Sequence, residues 1–188
     1  MSYEDWCVKW CQWITSIPKE TNPTVNNSKS WILHKDEDAK VVFLCQTYES
    51  VRSMSKRHIS IPAGSSIFMP IINWISVLGG KEKNTMDLKK LAEKMIDEVV
   101  KLQFIINGTS IKADLWDFRV QTSAFDILLP NNNIFDVPEG RTSMVVDGFW
   151  MFFQPLRNRL SIETFGACRS GITHIAVNYE LEFVSINH

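Results

Sequence analysis

From Tyr3 to Ile17 the bulky apolar residues fall on one helical face: Trp6, Trp10, Trp13, Ile14 and Ile17 recur at offsets of 4, 7, 8 and 11. Ser2 offers a hydroxyl cap, and Glu4 and Asp5 put acid in the first turn, so the spacing predicts a helix over 3–16. Pro18 ends it, because the residue before a proline is pushed out of the helical region. A stripe of three tryptophans has to be covered, either by the chain's own sheet or by a second copy in a homodimer. The Ile17-Pro18 stop and the turn-rich segment after it favour a return to the same body, in a monomer or a homodimer.

Residues 19–40 are polar and rich in turn formers, which predicts a long loop anchored by Trp31. The pattern then changes to short β-branched and alternating runs at 41–45, 58–61 and 67–72, the last bending at Pro70, with Pro62-Ala63-Gly64 as a turn. A second helical period covers about 86–102, where Leu88, Leu91, Ala92, Met95, Ile96, Val99 and Val100 share a face. Asn84 or Thr85 caps it, with Asp87 in its first turn.

Everything beyond 102 reads as strand. Asn107-Gly108 between apolar runs is a two-residue hairpin signal. Further runs at 118–121, 124–129, 143–146, 149–153, 160–165 and 172–184 are separated by Pro130-Asn131, Pro138-Glu139-Gly140, Asp147-Gly148 and Gly166 or Gly171. Asp147 is read as a turn former. In the last run Thr173, Ile175, Val177, Tyr179, Leu181 and Phe183 form the core face, while Ile172, His174, Ala176, Asn178, Glu180 and Glu182 look outward. The expected fold is mainly β: an antiparallel two-sheet sandwich, jelly-roll-like, with helices near 3–16 and 86–102. It forms a single domain over 1–188, the 1–18 helix packed on it.

The 188 residues are 45% apolar and 11% aromatic, with 20 Lys+Arg against 21 Asp+Glu and a net charge of -1. That balance speaks against a phosphate-backbone binder, so no nucleic acid is expected. No run is long and apolar enough for a membrane span, so no membrane is expected. The acidic start, Met1 to Asp5, lacks the features of a secretory signal, and a cytoplasmic location is expected. Cys7, Cys11, Cys45 and Cys168 are read as free thiols.

Cys7 and Cys11 lie one helical turn apart and could join His34 or His58 around a metal, yet small cysteines beside a tryptophan stripe are commonly packing residues. Their spacing on a helix also disfavours a disulfide. The acids Asp36, Glu37, Asp38 and Asp136 lack calcium-loop spacing. Nucleotide motifs are absent, so neither metal nor cofactor is expected. Arg52, Lys56 and Arg57, with Lys35 and Lys40, read as a solvated basic stretch. Seven tryptophans exceed what core filling usually takes. Of these, Trp74 and Trp116 lie next to turns and, with Asp147, are the candidate ligand-binding residues. The favoured function is a non-enzymatic binding or assembly module for a glycan or a protein ligand. The alternative is a small hydrolase or metal-dependent enzyme using Asp147, Cys168 and His174.

The ordered set Trp10-x-x-Trp13, Ile17-Pro18, Asn22-Pro23, Val42-Phe43-Leu44, Ile61-Pro62-Ala63-Gly64, Pro70-Ile71-Ile72-Asn73 and Phe118-Arg119-Val120 continues with Asp147-Gly148-Phe149-Trp150, Pro155-Leu156, Phe165-Gly166 and Tyr179-Glu180-Leu181. It resembles a family of uncharacterised archaeal and bacterial β-rich proteins. The chain departs from that pattern at Arg157-Asn158-Arg159-Leu160, which lacks a glycine and a histidine, and at Ser60, where a cysteine is usual. The resemblance implies a β-rich fold and carries no activity.

Overall fold

The structure, a computed structural model, describes residues 1–25, 32–36, 39–46, 55–79, 84–155, 159–170 and 174–185. Trp31, Glu37, Asp38, Arg52, Leu156 and residues 171–173 lie outside the described residues. Helix α1 (Tyr3–Thr15) opens with a reciprocal cap, in which Ser2 Oγ accepts from the Asp5 amide and Asp5 accepts from the Ser2 amide.

The 19–40 segment does not remain a loop throughout. Strand β1 (Ile32–Asp36) pairs antiparallel with β2 (Ala39–Phe43), joining Ile32 to Phe43 and Asp36 to Ala39. Its turn-rich composition hides a short strand that exists only because β2 supplies a partner. Upstream of it, the fully buried Asn22 pins the turn after α1. Its Nδ2 donates to the Ile14 and Ile17 carbonyls, and its Oδ1 accepts from the Thr24 amide and hydroxyl.

Next come β3 (Ser55–Pro62), β4 (Ser66–Val77), α2 (Thr85–Asp97), β5 (Val99–Ile106) and β6 (Thr109–Ser110). They are followed by a 3-10 turn (Leu115–Phe118), β7 (Arg119–Gln121), β8 (Phe125–Leu129), β9 (Gly140–Phe153), β10 (Arg159–Cys168) and β11 (His174–Val184). Helix α2 thus stops before 102, because Val99 already pairs with Cys168 as the first residue of β5. A β-branched Val-Val pair satisfies a helical period and a strand equally, and pairing with β10 decides between them. The hairpin at Asn107-Gly108 is present, with φ of 49° and 75°.

The strands form two sheets. The first runs β1-β2-β4-β9, with β7 and β8 both on the far edge of β9; the second runs β3-β11-β10-β5-β6. Both are mixed rather than purely antiparallel, since β2 is parallel to β4 and β3 is parallel to β11. The reason lies in chain routing. Between β2 and β4 the chain crosses to the second sheet, lays down β3 and returns, so β4 re-enters beside β2 in the same direction. Alternation reports which face is buried and is blind to strand direction.

Between the sheets, Val42, Ile67, Met69, Phe149 and Met151 meet Ile61, Phe104, Ile162, Val177 and Tyr179. The other face of the first sheet carries Phe43, Phe68, Val146 and Trp150, and α1 lies over it with Trp6, Cys7, Trp10, Cys11 and Ile14. There Phe68 stacks on Trp150 at 5.3 Å, Trp10 meets Trp150 edge-on at 5.3 Å, and Trp10 Nε1 donates to the Leu44 carbonyl at 2.8 Å. Each fully buried aromatic of this kind contributes about 2–3 kcal/mol. Helix α2 lies on the inner side of the first sheet, packing Leu88 and Ala92 on Val145.

Candidate binding site

Asp147-Gly148 is not a turn. Both residues lie in the middle of β9, and Asp147 is fully buried. A Cβ on Gly148 would stand 2.6 Å from the Asn73 Cβ and 2.6 Å from the Ile72 carbonyl oxygen. The glycine therefore serves a close approach to β4 beside the bulge that follows Pro70. Asp147 points inward, beneath α2, with Trp74 opposite it on β4 and Gln121 opposite it on β7.

The Arg119 guanidinium grips the Asp147 carboxylate with both arms, Nε to Oδ1 at 3.1 Å and Nη2 to Oδ2 at 2.7 Å. Its remaining donors reach α2, at Asp97 Oδ1 (2.7 Å) and the Glu93 carbonyl (3.4 Å). Gln121 Nε2 bridges Asp147 Oδ2 and the Lys89 carbonyl. Burial pushes the Asp147 carboxyl upward, and the guanidinium opposes that shift. The hydrogen bond to Asp147 is the main force holding the Arg119 proton more tightly than usual. The cluster clamps α2 to the first sheet, and its carboxylate faces protein rather than solvent.

Trp74, Trp116 and Asp147 do share a neighbourhood. Trp74 is partly buried against the Leu88–Ala92 contact, and Trp116 meets Phe149, two residues from Asp147, edge-on at 5.2 Å. Only Trp116, 45% exposed, offers much of its surface to solvent. For the alternative set, Cys168 is buried in the core between the sheets, where burial and then Glu98 push its thiol up. His174 lies in β11, its backbone opposite Ala167, and its side chain is outside the described residues. Cys7 and Cys11 are fully buried free thiols, pushed up by burial. Among the described residues no group of three or more His, Cys, Asp or Glu is placed to hold a metal. No helix among them is long and apolar enough to cross a membrane.

Of the stretch read as a solvated basic loop, Lys56 and Arg57 lie in strand β3, and Arg57 is 2% exposed. Its Nη1 donates to the Cys45 carbonyl at 2.9 Å and to the Tyr179 hydroxyl at 2.8 Å, while Nη2 donates to the Pro23 carbonyl at 2.8 Å. One guanidinium thus joins the turn after α1, the end of β2 and the centre of the second sheet.

The outer face of the second sheet holds a different kind of surface. A recess of about 560 Å³ is lined by His58 and Ser60 of β3, Glu180 and Glu182 of β11, Arg159 and Ser161 of β10, and Asn107 of the β5–β6 turn. His58 Nδ1 lies 2.9 Å from Glu180 Oε2, and Arg159 Nη2 lies 3.1 Å from Glu182 Oε1. Asn107 is itself fixed, its Oδ1 accepting from the Ser161 amide at 2.9 Å. The outward set of β11 marked Glu180 and Glu182 in the sequence. His58 and Arg159 come beside them only through strand pairing, one of those pairings parallel, which no local pattern announces. A second hollow, also of about 560 Å³, lies between α1 and β8 and is lined by Gln12, Ser16, Asp126, Ile127, Leu128 and Arg141. It gathers fewer convergent polar groups. No protein-family model, curated protein or solved structure matches the chain.

Proposed function

We propose that the protein is a non-enzymatic binding module, jelly-roll-like in its two stacked sheets, that takes a glycan in the recess on the outer face of the second sheet. One observation carries this reading: three adjacent strands and a hairpin turn direct two carboxylates, a guanidinium, an imidazole, an amide and two hydroxyls into one recess of about 560 Å³. That volume lies within the usual range of small-ligand sites. Planar carboxylate, amide and guanidinium groups pair naturally with the vicinal hydroxyls of a sugar. A protein ligand fits this surface less well, because protein interfaces centre on desolvated apolar and aromatic anchors. Trp116 is a candidate for a second, stacking contact elsewhere on the surface.

A glycan array followed by calorimetry tests the reading, using the unmodified protein, Ser161→Trp to fill the recess, and Trp116→Ala. The expected result is a saccharide ligand lost in Ser161→Trp at unchanged melting temperature and retained in Trp116→Ala. Binding that survives Ser161→Trp and disappears in Trp116→Ala would move the site to the 3-10 turn. Esterase or glycosidase turnover abolished by Cys168→Ala would replace the reading with a small hydrolase.

A further inference from the structure

We infer that Asn107 is a site of spontaneous covalent modification, at which the Gly108 backbone nitrogen displaces the side-chain amide and a carboxylate is left in the wall of the recess. The reaction is intramolecular and consumes only water. The Gly108 nitrogen loses its proton and bonds to the side-chain carbonyl carbon of Asn107. The bond from that carbon to Nδ2 breaks, and ammonia departs. Water then opens the five-membered imide at either of its carbonyl carbons. One opening gives aspartate, and the other gives isoaspartate, with the chain rerouted through the side chain. Nothing is oxidised or reduced.

Asn107-Gly108 is the one Asn-Gly step in the chain, and the fold leaves it free to react. Both residues are exposed at the tip of the β5–β6 hairpin. Among the described residues nothing accepts a hydrogen bond from the Gly108 amide, and the space a Cβ would fill there is open. The electrophile is held in place. The Asn107 amide donates to the Ser161 carbonyl at 3.0 Å, and Asn107 Oδ1 accepts from the Ser161 amide at 2.9 Å. That second bond aims a donor at the oxygen on which negative charge builds as the nitrogen adds. Beyond Asn107 the chain is lightly held. Strand β6 has two residues, both exposed, so turning the Asn107–Gly108 peptide to bring nitrogen and carbon together disturbs only a short ladder.

Asp147-Gly148 could form the same imide, and here the fold forbids it. Both residues are paired to β4 on one side and to β7 on the other, so the peptide between them cannot rotate. The Asp147 carboxylate is also gripped by Arg119, and an ionised carboxylate resists attack by a nucleophile. The modification therefore falls on the recess and spares the clamp under α2. It adds one negative charge to a wall shared with Glu180 and Glu182, whatever ligand the recess takes.

The test incubates the full chain, folded and in guanidinium chloride, and maps its peptides by mass spectrometry with fragmentation that separates aspartate from isoaspartate. In the folded protein, residue 107 is expected to convert to both products at no less than about a tenth of its rate in the denatured chain. Conversion should quicken as pH rises, because the attacking nitrogen must lose its proton. Isoaspartate at residue 147 should form only in the denatured chain. Asn107→Gln should hold its mass at that position, since its longer side chain closes a larger and slower ring; melting temperatures show that it folds. An Asn107 that stays intact in the folded protein while the denatured chain converts overturns the inference. So does isoaspartate at residue 147 of the folded protein forming as fast as at residue 107.

Discussion

The two sheets present outer faces built by the same alternation and finished in opposite ways. On the first, the outward positions of β2, β4 and β9 include Phe43, Phe68, Val146 and Trp150, and α1 covers them with its own aromatic stripe. On the second, the outward positions of β3, β10 and β11 include His58, Ser60, Ser161, Glu180 and Glu182, and they line an open recess. A strand's periodicity says only that it has two faces. The chemistry of the outward set decides whether that face becomes a second core or a surface that can meet a ligand. Stability should therefore concentrate under α1, and binding should concentrate on the far side of the molecule.

The largest expected effect lies on the sealed side. Trp10 is 1% exposed, so Trp10→Ala opens a large cavity and removes the donor to the Leu44 carbonyl. Substitutions of this kind cost about 3–5 kcal/mol, which for a chain of this length lowers the melting temperature by about 10 °C or more. Calorimetric melting together with size-exclusion chromatography checks it, and oligomeric state should not change. A dimer becoming a well-folded monomer of unchanged melting temperature would instead make α1 an interface. Arg119→Met comes next, because it strands the buried Asp147 carboxylate. The expected loss is about 2–3 kcal/mol, below that of a fully buried pair because the guanidinium edge is wet. The double variant Arg119→Met with Asp147→Leu should recover part of it, as measured by a denaturant double-mutant cycle.

Much of this architecture was legible from local pattern. The limits of α1 followed from Ser2, Asp5 and Pro18, and the core face of β11 followed from Ile175, Val177, Tyr179 and Leu181. What escaped was set by partners distant in sequence. Val99 joins a strand because Cys168 lies opposite it, and β1 exists because β2 does. Asp147-Gly148 carries a turn signature, yet the glycine answers to the approach of Asn73, and the aspartate to Arg119. Arg57 reads as a surface charge until Cys45, Tyr179 and Pro23 are seen to surround it. The recess was half legible: Glu180 and Glu182 stood out as outward, while His58 waited on the parallel register between β3 and β11 and Arg159 on the antiparallel pairing of β10 with β11.

Gly148→Ala probes the boundary between the two regimes, since β9 has a core on each face. The added methyl meets backbone and Asn73 at 2.6 Å, so the strands must separate locally. Overpacking of this sort costs about 1–3 kcal/mol, and unfolding in denaturant should show it as a lower midpoint with an unchanged slope.

The smallest effect belongs to the open face, and its smallness is what the comparison requires. Arg159 and Glu182 lie 3.1 Å apart with side chains 83% and 53% exposed. Water solvates both groups as well in the unfolded chain as in the folded one, and ordering two long side chains offsets most of the Coulomb gain. Glu182→Gln should therefore change stability by no more than about 0.5 kcal/mol. It keeps the shape and one oxygen acceptor, so the sheet beneath has no reason to shift. Chemical denaturation of Glu182→Gln beside Trp10→Ala is the sharpest form of the comparison, because both sit on outer faces of sheets in the same molecule. If Glu182→Gln instead costs as much as Arg119→Met, the ion pairs of the second sheet are holding the fold together. The open face would then be a structural surface, and the assignment of binding to it would lose its ground.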